Sequence, residues 1–440
     1  MADAERSARF SAPETGPGPA RRPRLLVLDA AYTLEMIRDR GQERSILSRD
    51  LDGYFDHVWN VHPFATLLSG SSAVTACGPP IWHELGPRHT FVEGQAGRFR
   101  ALRALFPINF LIGQAALLLQ LRNLVKREGI SAIRAGDPLY LGLFGWALAR
   151  LTGAAFLIRV NGNNDKVRET TGKPIFPRLL RSAKLEKRIE RFVFPRADLI
   201  FAPNENNADF AVANGARRDA TRIVNFGSLL GEEHFAEPAA RPSAAADLEA
   251  LGLEANNFLL CIGRLEQPKY PDHVIETLAE VRALRPGLKA LFVGDGTLRE
   301  ELRRLAERLG VAESVAFAGN RDQQFLSRII PEAAVVLSPS TGRALSEAAL
   351  GAVPVVAYDT DWQKDMVETG VTGILVPYRD RKAMAEATAR LLRDPGFARE
   401  MGAAIRRRAL AMLDPQAGMA AERKAYQGLF ARLGGGKETE

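Results

Sequence analysis

Residues 335–357 read VVLSPSTGRALSEAALGAVPVVA, and this stretch decides the fold. An apolar run ends at Ser338, a small polar loop carries Gly342, and an alanine-rich helical stretch follows before Pro354 and a second apolar run. Strand, glycine-bearing turn, helix and strand in close succession is the repeat of a parallel α/β sheet. The start of such a helix presents backbone N–H groups and a positive dipole end, a setting suited to phosphate. Glu347, early in that helix, can accept both hydroxyls of a ribose. The alternative is a carboxylate that only serves the helix dipole.

The alternation continues on both sides. Apolar runs recur at Phe258–Ile262, Ala290–Val293, Val315–Phe317 and Ile374–Val376, with helical spacing such as Val274/Leu278/Val281 between them. This predicts a doubly wound α/β domain with ligands beyond the carboxyl ends of its strands. Its first run leads into Gly263-Arg264-Leu265-Glu266-Gln267-Pro268-Lys269. An Arg fork and a Lys point charge in one loop suit a diphosphate, although such a pair can equally be two solvated surface cations. Gly263 lets the backbone approach, and Gly294-Asp295-Gly296 forms a second tight turn on the same edge.

The N-terminal half is less regular. Its strand candidates are Leu25–Leu28, Phe156–Val160, Leu199–Ala202 and Arg222–Val224, with a polar, helix-like segment over Thr33–Leu47. Composition divides the chain into a disordered leader (1–22), an N-terminal Rossmann-like domain (23–235), an Ala/Pro-rich linker (236–250), a C-terminal Rossmann-like domain (251–414) and a helix with tail (415–440).

The 440 residues are 46% hydrophobic and 25% charged, enough for two full cores. A formal net charge of +7 favours anionic partners without choosing among them. Cys77, Cys261 and the six histidines show no metal-ligand spacing, so no metal is expected. The most apolar stretch, Phe106–Val125, is interrupted by Pro107, Asn109, Gly113, Gln114, Gln120, Arg122 and Asn123, and reads as short of a continuous membrane span. The basic run Arg178–Arg196 sets Leu185, Ile189 and Phe192 on one helical face. It reads as a core-facing helix with a solvated basic side, with contact to an anionic membrane as the alternative. No aromatic platform or module points to nucleic acid. These features predict a cytoplasmic protein and leave peripheral contact with the inner face of the membrane open.

In order and spacing, GRLEQPK (263–269), VGDG (293–296), FAGN (317–320), SPS (338–340), SEAALGAVPVVAYD (346–359) and TGVTGILVPYRD (369–380) resemble the C-terminal domain of family 4 retaining glycosyltransferases. The resemblance runs over about residues 257–412. It is weaker over 24–230, where RAGDPLYLGL (134–143) and FLIRVNGN (156–163) carry it. It implies a GT-B fold, two Rossmann-like doubly wound domains facing a central cleft. The implied reaction moves a hexose, with retention, from a nucleotide-diphosphate sugar to a glycan or lipid-linked acceptor. By the same resemblance Arg264 and Lys269 grip the donor diphosphate and Glu347 holds the ribose. Gly263, Gly294 and Gly296 shape the turns, Gly319 and Asn320 lie beside the base, and the amides of Thr341, Gly342, Arg343, Ala344 and Leu345 face phosphate or sugar.

The chain departs from that family at several points. Counting eight positions back from Glu347, where the family has another glutamate, reaches Pro339. Sugar recognition is then expected from Arg343, backbone amides, or Asp361 and Gln363. The family's histidine after the strand ending at Val160 is replaced by Asn161, which can position a substrate in the catalytic site but cannot act as a base. Asp165 is either a substitute acid/base or a turn aspartate. The glycine-rich loop after the first strand is replaced by Asp29-Ala30-Ala31-Tyr32. Asp359-Thr360-Asp361 has the D-x-D form of metal-dependent transferases and reads as a chance match. A nucleotide-sugar epimerase and a non-catalytic sugar- or nucleotide-binding protein are the rival readings.

Overall fold

The computed structural model describes residues 22–67, 77–177, 179–225, 227–340 and 342–434. Thr341, one of the expected phosphate or sugar contacts, and nearly all of the expected leader lie outside them. The chain divides into two units. One comprises the residues up to Asp39, Glu43–Asn225 and those from Gln416 onward; the other comprises Arg40–Gln42 and Phe226–Pro415.

The first unit is built on β1 (Leu25–Leu28), β2 (Val58–His62), β3 (Ile81–Gly86), β4 (His89–Glu93), β5 (Ala132–Ala135), β6 (Ala155–Arg159), β7 (Leu199–Ala202) and β8 (Thr221–Ile223). They lie in the order β3-β4-β2-β1-β5-β6-β7-β8, parallel except for β3 against β4. Both faces of the central strands are covered, as in helix-flanked parallel sheets. In β1, Leu26 and Leu28 join the cluster that includes Leu121 and Leu124, from the helix Phe106–Glu128, while Leu25 and Val27 join Phe55 and Phe201 on the other face. The second cluster is completed by Met419, Tyr426 and Leu429 of the helix Pro415–Gly434. At that face Arg134 of β5 and Arg159 of β6 both donate to Glu422, all three side chains being buried.

Two helices of this unit differ from the sequence expectation. Phe106–Glu128 runs unbroken through every interruption, and with the preceding turn it is long and apolar enough, by length and composition, to cross a membrane. Pro107 is harmless because it sits in the first turn. Asn109 and Gln114 fasten the helix to its domain. Asn109 Oδ1 accepts from the Arg98 and Phe99 amides, and Gln114 donates to Pro63 O and accepts from the Tyr140 hydroxyl. In the basic helix, Ala183–Val193, Leu185 is exposed and the buried face is Glu186, Ile189, Glu190 and Val193. The two glutamates tolerate burial because Arg168 pairs with both, and Glu186 also accepts from the Ile175 and Phe176 amides.

The second unit holds β9 (Phe258–Ile262), β10 (Lys289–Val293), β11 (Val315–Gly319), β12 (Val335–Ser338), β13 (Val355–Tyr358) and β14 (Ile374–Val376). All are parallel, in the order β11-β10-β9-β12-β13-β14. This is the doubly wound arrangement, and the direction of winding reverses between β9 and β12. The Ala/Pro-rich stretch before it is tied into this unit. Buried Arg241 donates to the carbonyls of His234, Ala236, Ser327 and Leu350.

Candidate functional site

The loops that leave β9 and β12 flank the reversal point of the second sheet, where ligands of doubly wound folds bind. Gly263 and Gly294 leave their strands at φ 150° and 139°, which side-chain-bearing residues rarely adopt. A Cβ on Gly294 would lie 2.0 Å from Gly263 O, and one on Gly296 would lie 2.4 Å from Leu265 O. The glycines therefore allow two loops to run in direct backbone contact. Leu265 N donates to Asp295 O at 3.1 Å, Leu298 N donates to Leu265 O at 3.0 Å, and Glu266 accepts from the Thr297 amide and hydroxyl.

This clamp buries Leu265, leaves Arg264 exposed and holds Lys269 half-buried. Lys269 Nζ donates to Ser340 Oγ at 3.3 Å, so the two flanks of the reversal point meet there. Burial and then the nearby Arg264 charge push the Lys269 ammonium down to about 8, against the opposing pull of Asp361. The two cations expected to converge on an anion thus lie within electrostatic reach of each other.

The helix Arg343–Leu350 begins after Gly342. Glu347 is buried, and Arg343 Nε stands 3.0 Å from its Oε1. The pair is not aligned as a hydrogen bond, and Oε1 has no hydrogen-bond partner among the described residues. Ala344 lies in the first turn. The Leu345 amide is already spent on Gly342 O at 3.2 Å and its side chain lies in the core, so it does not offer the free amide expected of it. Gly319, at φ 69°, accepts from Gly294 N, and Asn320 is exposed just beyond it. Gln363, expected as a sugar contact, is instead buried, accepting from Ser338 Oγ and donating to Tyr358 O. It props the β12 loop from behind. Asp361 sits at φ 53°, and no group of His, Cys, Asp or Glu able to hold a metal occurs among the described residues.

Asn161 belongs to the first unit, beyond β6, where it is exposed and donates to Gly136 O at 2.9 Å. Asp165 lies in the first turn of the helix Asn164–Thr171. Partial burial raises its carboxyl, but hydrogen bonds from Arg168, Lys187 and Asn214 outweigh this and hold it at about 2. It is a fixed anion near neutral pH, held by ion pairs on a helix and not in the turn that one of its two readings expected. The sequence reading passed over Asp137, at the end of β5 next to Gly136. Burial pushes its carboxyl up to about 7 despite amide hydrogen bonds from Leu139 and Leu141, and the charges of Asp29 and Glu190 add to the rise. The fragment RAGDPLYLGL contains it, but nothing in the sequence measures burial.

Residues 246–408 match the family model described as glycosyl transferases group 1. The chain is 28% identical over 317 residues to the GDP-mannose-dependent alpha-(1-6)-phosphatidylinositol monomannoside mannosyltransferase of Mycolicibacterium smegmatis, covering 69% of this chain and 78% of that one. It is 24% identical over 260 residues to the alpha-D-kanosaminyltransferase of Streptomyces kanamyceticus, covering 58% of this chain and spanning 66% of that relative's length. Among solved structures, Anabaena HepE in complex with UDP and glucose superposes with a TM-score of 0.69 at 16% identity, over 92% of this chain and 100% of that one. The two parallel-sheet units and this superposition give the chain the GT-B fold, and its residues 246–408 match the glycosyl transferases group 1 family.

Proposed function

We propose that the chain transfers a hexosyl group from a nucleotide-diphosphate sugar to a glycan or lipid-linked acceptor, with retention at the anomeric carbon and without a metal. The observation that carries this reading is the Lys269–Ser340 contact across the reversal point of the second sheet, with Arg264 on the same loop and the Arg343–Leu350 helix start beside it. The donor's C1–O bond to the diphosphate breaks and a C1–O bond to the acceptor hydroxyl forms. The acceptor proton passes to the leaving phosphate. Arg264, Lys269 and the helix start stabilise the charge that develops on the diphosphate, so their contribution grows toward the transition state. Gly263, Gly294 and Gly296 give the backbone room, Glu347 takes the ribose, Asn320 lies beside the base, and Gly342, Arg343, Ala344 and Asp361 contact phosphate or sugar. Asn161 positions substrate. A mannosyltransferase using GDP-mannose and a HepE structure holding UDP support a nucleotide-sugar donor. Because the relatives are named as transferases, they favour this reading over an epimerase. The reading carries a cytoplasmic location with it.

A thermal-shift screen against UDP, GDP, ADP and their sugars tests the donor, followed by NMR assignment of the product's anomeric configuration. Arg264→Ala and Lys269→Ala should each cost about 2–4 kcal/mol in kcat/KM. Wild-type kinetics in both variants would sink the donor site, and an inverted product would sink retention.

A further inference from the structure

The helix Phe106–Glu128 turns an apolar face outward as well as inward. Ile108, Leu111 and Leu119 are 52%, 66% and 56% exposed, and Phe99 and Leu105 are exposed just ahead of them. Positions 108, 111, 115 and 119 fall on one helical stripe, which runs about 17 Å at ~1.5 Å per residue. Cations bracket the stripe, with Arg100 and Arg103 before it and Arg122, Lys126 and Arg127 after it. Between Arg98 and Glu128 the only acidic residue is Glu128 itself, and its carboxylate is already engaged by Arg24 and Arg127. Ile81 and Trp82 of β3, the edge strand, are also exposed, and Trp82 lines a groove with Gln120, Asn123, Leu124 and Arg127 of the helix.

We propose that this face docks on an anionic phospholipid bilayer, with the helix lying in the plane of the interface. An apolar stripe with cations at both ends, flanked by a tryptophan, matches the layering of acyl chains and anionic headgroups. The charge argues against an ordinary protein partner, because such a partner would need an acidic rim around an apolar centre. The buried face decides against crossing the membrane. Asn109 and Gln114 are bonded into the domain and Leu117, Leu121 and Val125 pack in its core, so insertion across a bilayer would strip all of these contacts. The surface belongs to the first unit alone and does not depend on the donor-site reading.

Flotation of the full chain with vesicles tests this, comparing phosphatidylcholine alone with a phosphatidylcholine/phosphatidylglycerol mixture. Binding should be at least about tenfold tighter to the mixed vesicles and should weaken with salt. Leu111→Ser/Leu119→Ser and Arg100→Glu/Arg103→Glu should each lose about tenfold or more while keeping the wild-type melting curve. All of the altered side chains except Leu119 lie at or before the first turns of the helix, so the charge-reversed variant tests the surface even if the leucine variant unfolds. The proposal is overturned if the folded wild type ignores anionic vesicles or if the folded charge variant binds them equally well. It is also overturned if sedimentation shows a dimer that the leucine variant dissolves, which would make the stripe a contact between two copies.

Discussion

Arg343 Nε faces Glu347 Oε1 across one helical turn at 3.0 Å, and among the described residues no hydrogen bond satisfies that oxygen. A buried acceptor of this kind is poised for a donor from outside the chain. Glu347→Gln should weaken nucleoside diphosphate binding by about 1–3 kcal/mol. The loss should disappear with the 2′,3′-dideoxy nucleotide, which has no ribose hydroxyls to offer. Calorimetric titration of both nucleotides checks this, and an equal loss for the two would assign Glu347 to the helix dipole.

Gly294→Ala places a methyl against Gly263 O and forces a left-handed backbone onto a residue that resists it. The expected cost is at least about 2 kcal/mol of stability, read from urea unfolding. Gly310→Ala, at φ 65° with open space around its Cβ position, is the control and should cost less.

Lys269 binds an anion only while protonated. Its folded-state value of about 8 lies below the usual lysine range, so the free protein loses this charge as pH rises through 8. Nucleoside diphosphate affinity should therefore be highest below pH 8 and fall above it. Lys269→Arg, which stays charged throughout, should flatten the profile. A pH series of dissociation constants decides the matter.

Much of this was readable beforehand, unevenly between the two units. All six strands of the second sheet announce themselves as apolar runs, because helices cover both faces. In the first sheet β1, β6, β7 and β8 do the same, whereas β2, β3, β4 and β5 went unrecognised. The reason is chemical. Asn60 and His62 in β2, His89 and Thr90 in β4 and Arg134 in β5 are buried polar residues that break the apolar pattern. Several have partners that only the fold supplies: Arg49 for Asn60, His57 and Glu84 for Thr90, and Glu422 for Arg134. The loops after β9 and β10 were legible for the opposite reason, since glycines and cations at turns are local signals. The engagement of Glu347 by Arg343 and of Gln363 by Ser338 needed coordinates.

Asp137 offers a pH test with a defined sign. Its carboxyl titrates near 7 in the folded protein and near 3.8 when unfolded, so the folded state holds the extra proton between those values. Stability from this group is full below about pH 4 and is lost as pH rises to 7. Asp137→Asn should thus gain about 1–3 kcal/mol over wild type at pH 8 and little or nothing at pH 4. Paired unfolding curves at the two pH values measure it, and a variant less stable at pH 8 than at pH 4, relative to wild type, would contradict the sign.

Transfer should continue in excess EDTA, and Asp359→Asn should neither create nor remove a metal requirement. On the proposed reading, two cations and a helix start supply the neutralisation that a metal would otherwise give. Turnover that stops with EDTA and returns with manganese would make Asp359 and Asp361 ligands.

Because Glu422, Tyr426 and Leu429 complete the face of a sheet whose first strand is Leu25–Leu28, that face closes only after the whole intervening second unit has been made. Phe226–Pro415 is contiguous apart from its three-residue contribution from Arg40–Gln42, and its core clusters draw on no residue beyond Leu413. Until Glu422 has been made and has emerged, Arg134 and Arg159 lack the carboxylate that neutralises them. Order in the chain and order of completion therefore differ here: the second unit can close its cores before the sheet that precedes it gains its last face.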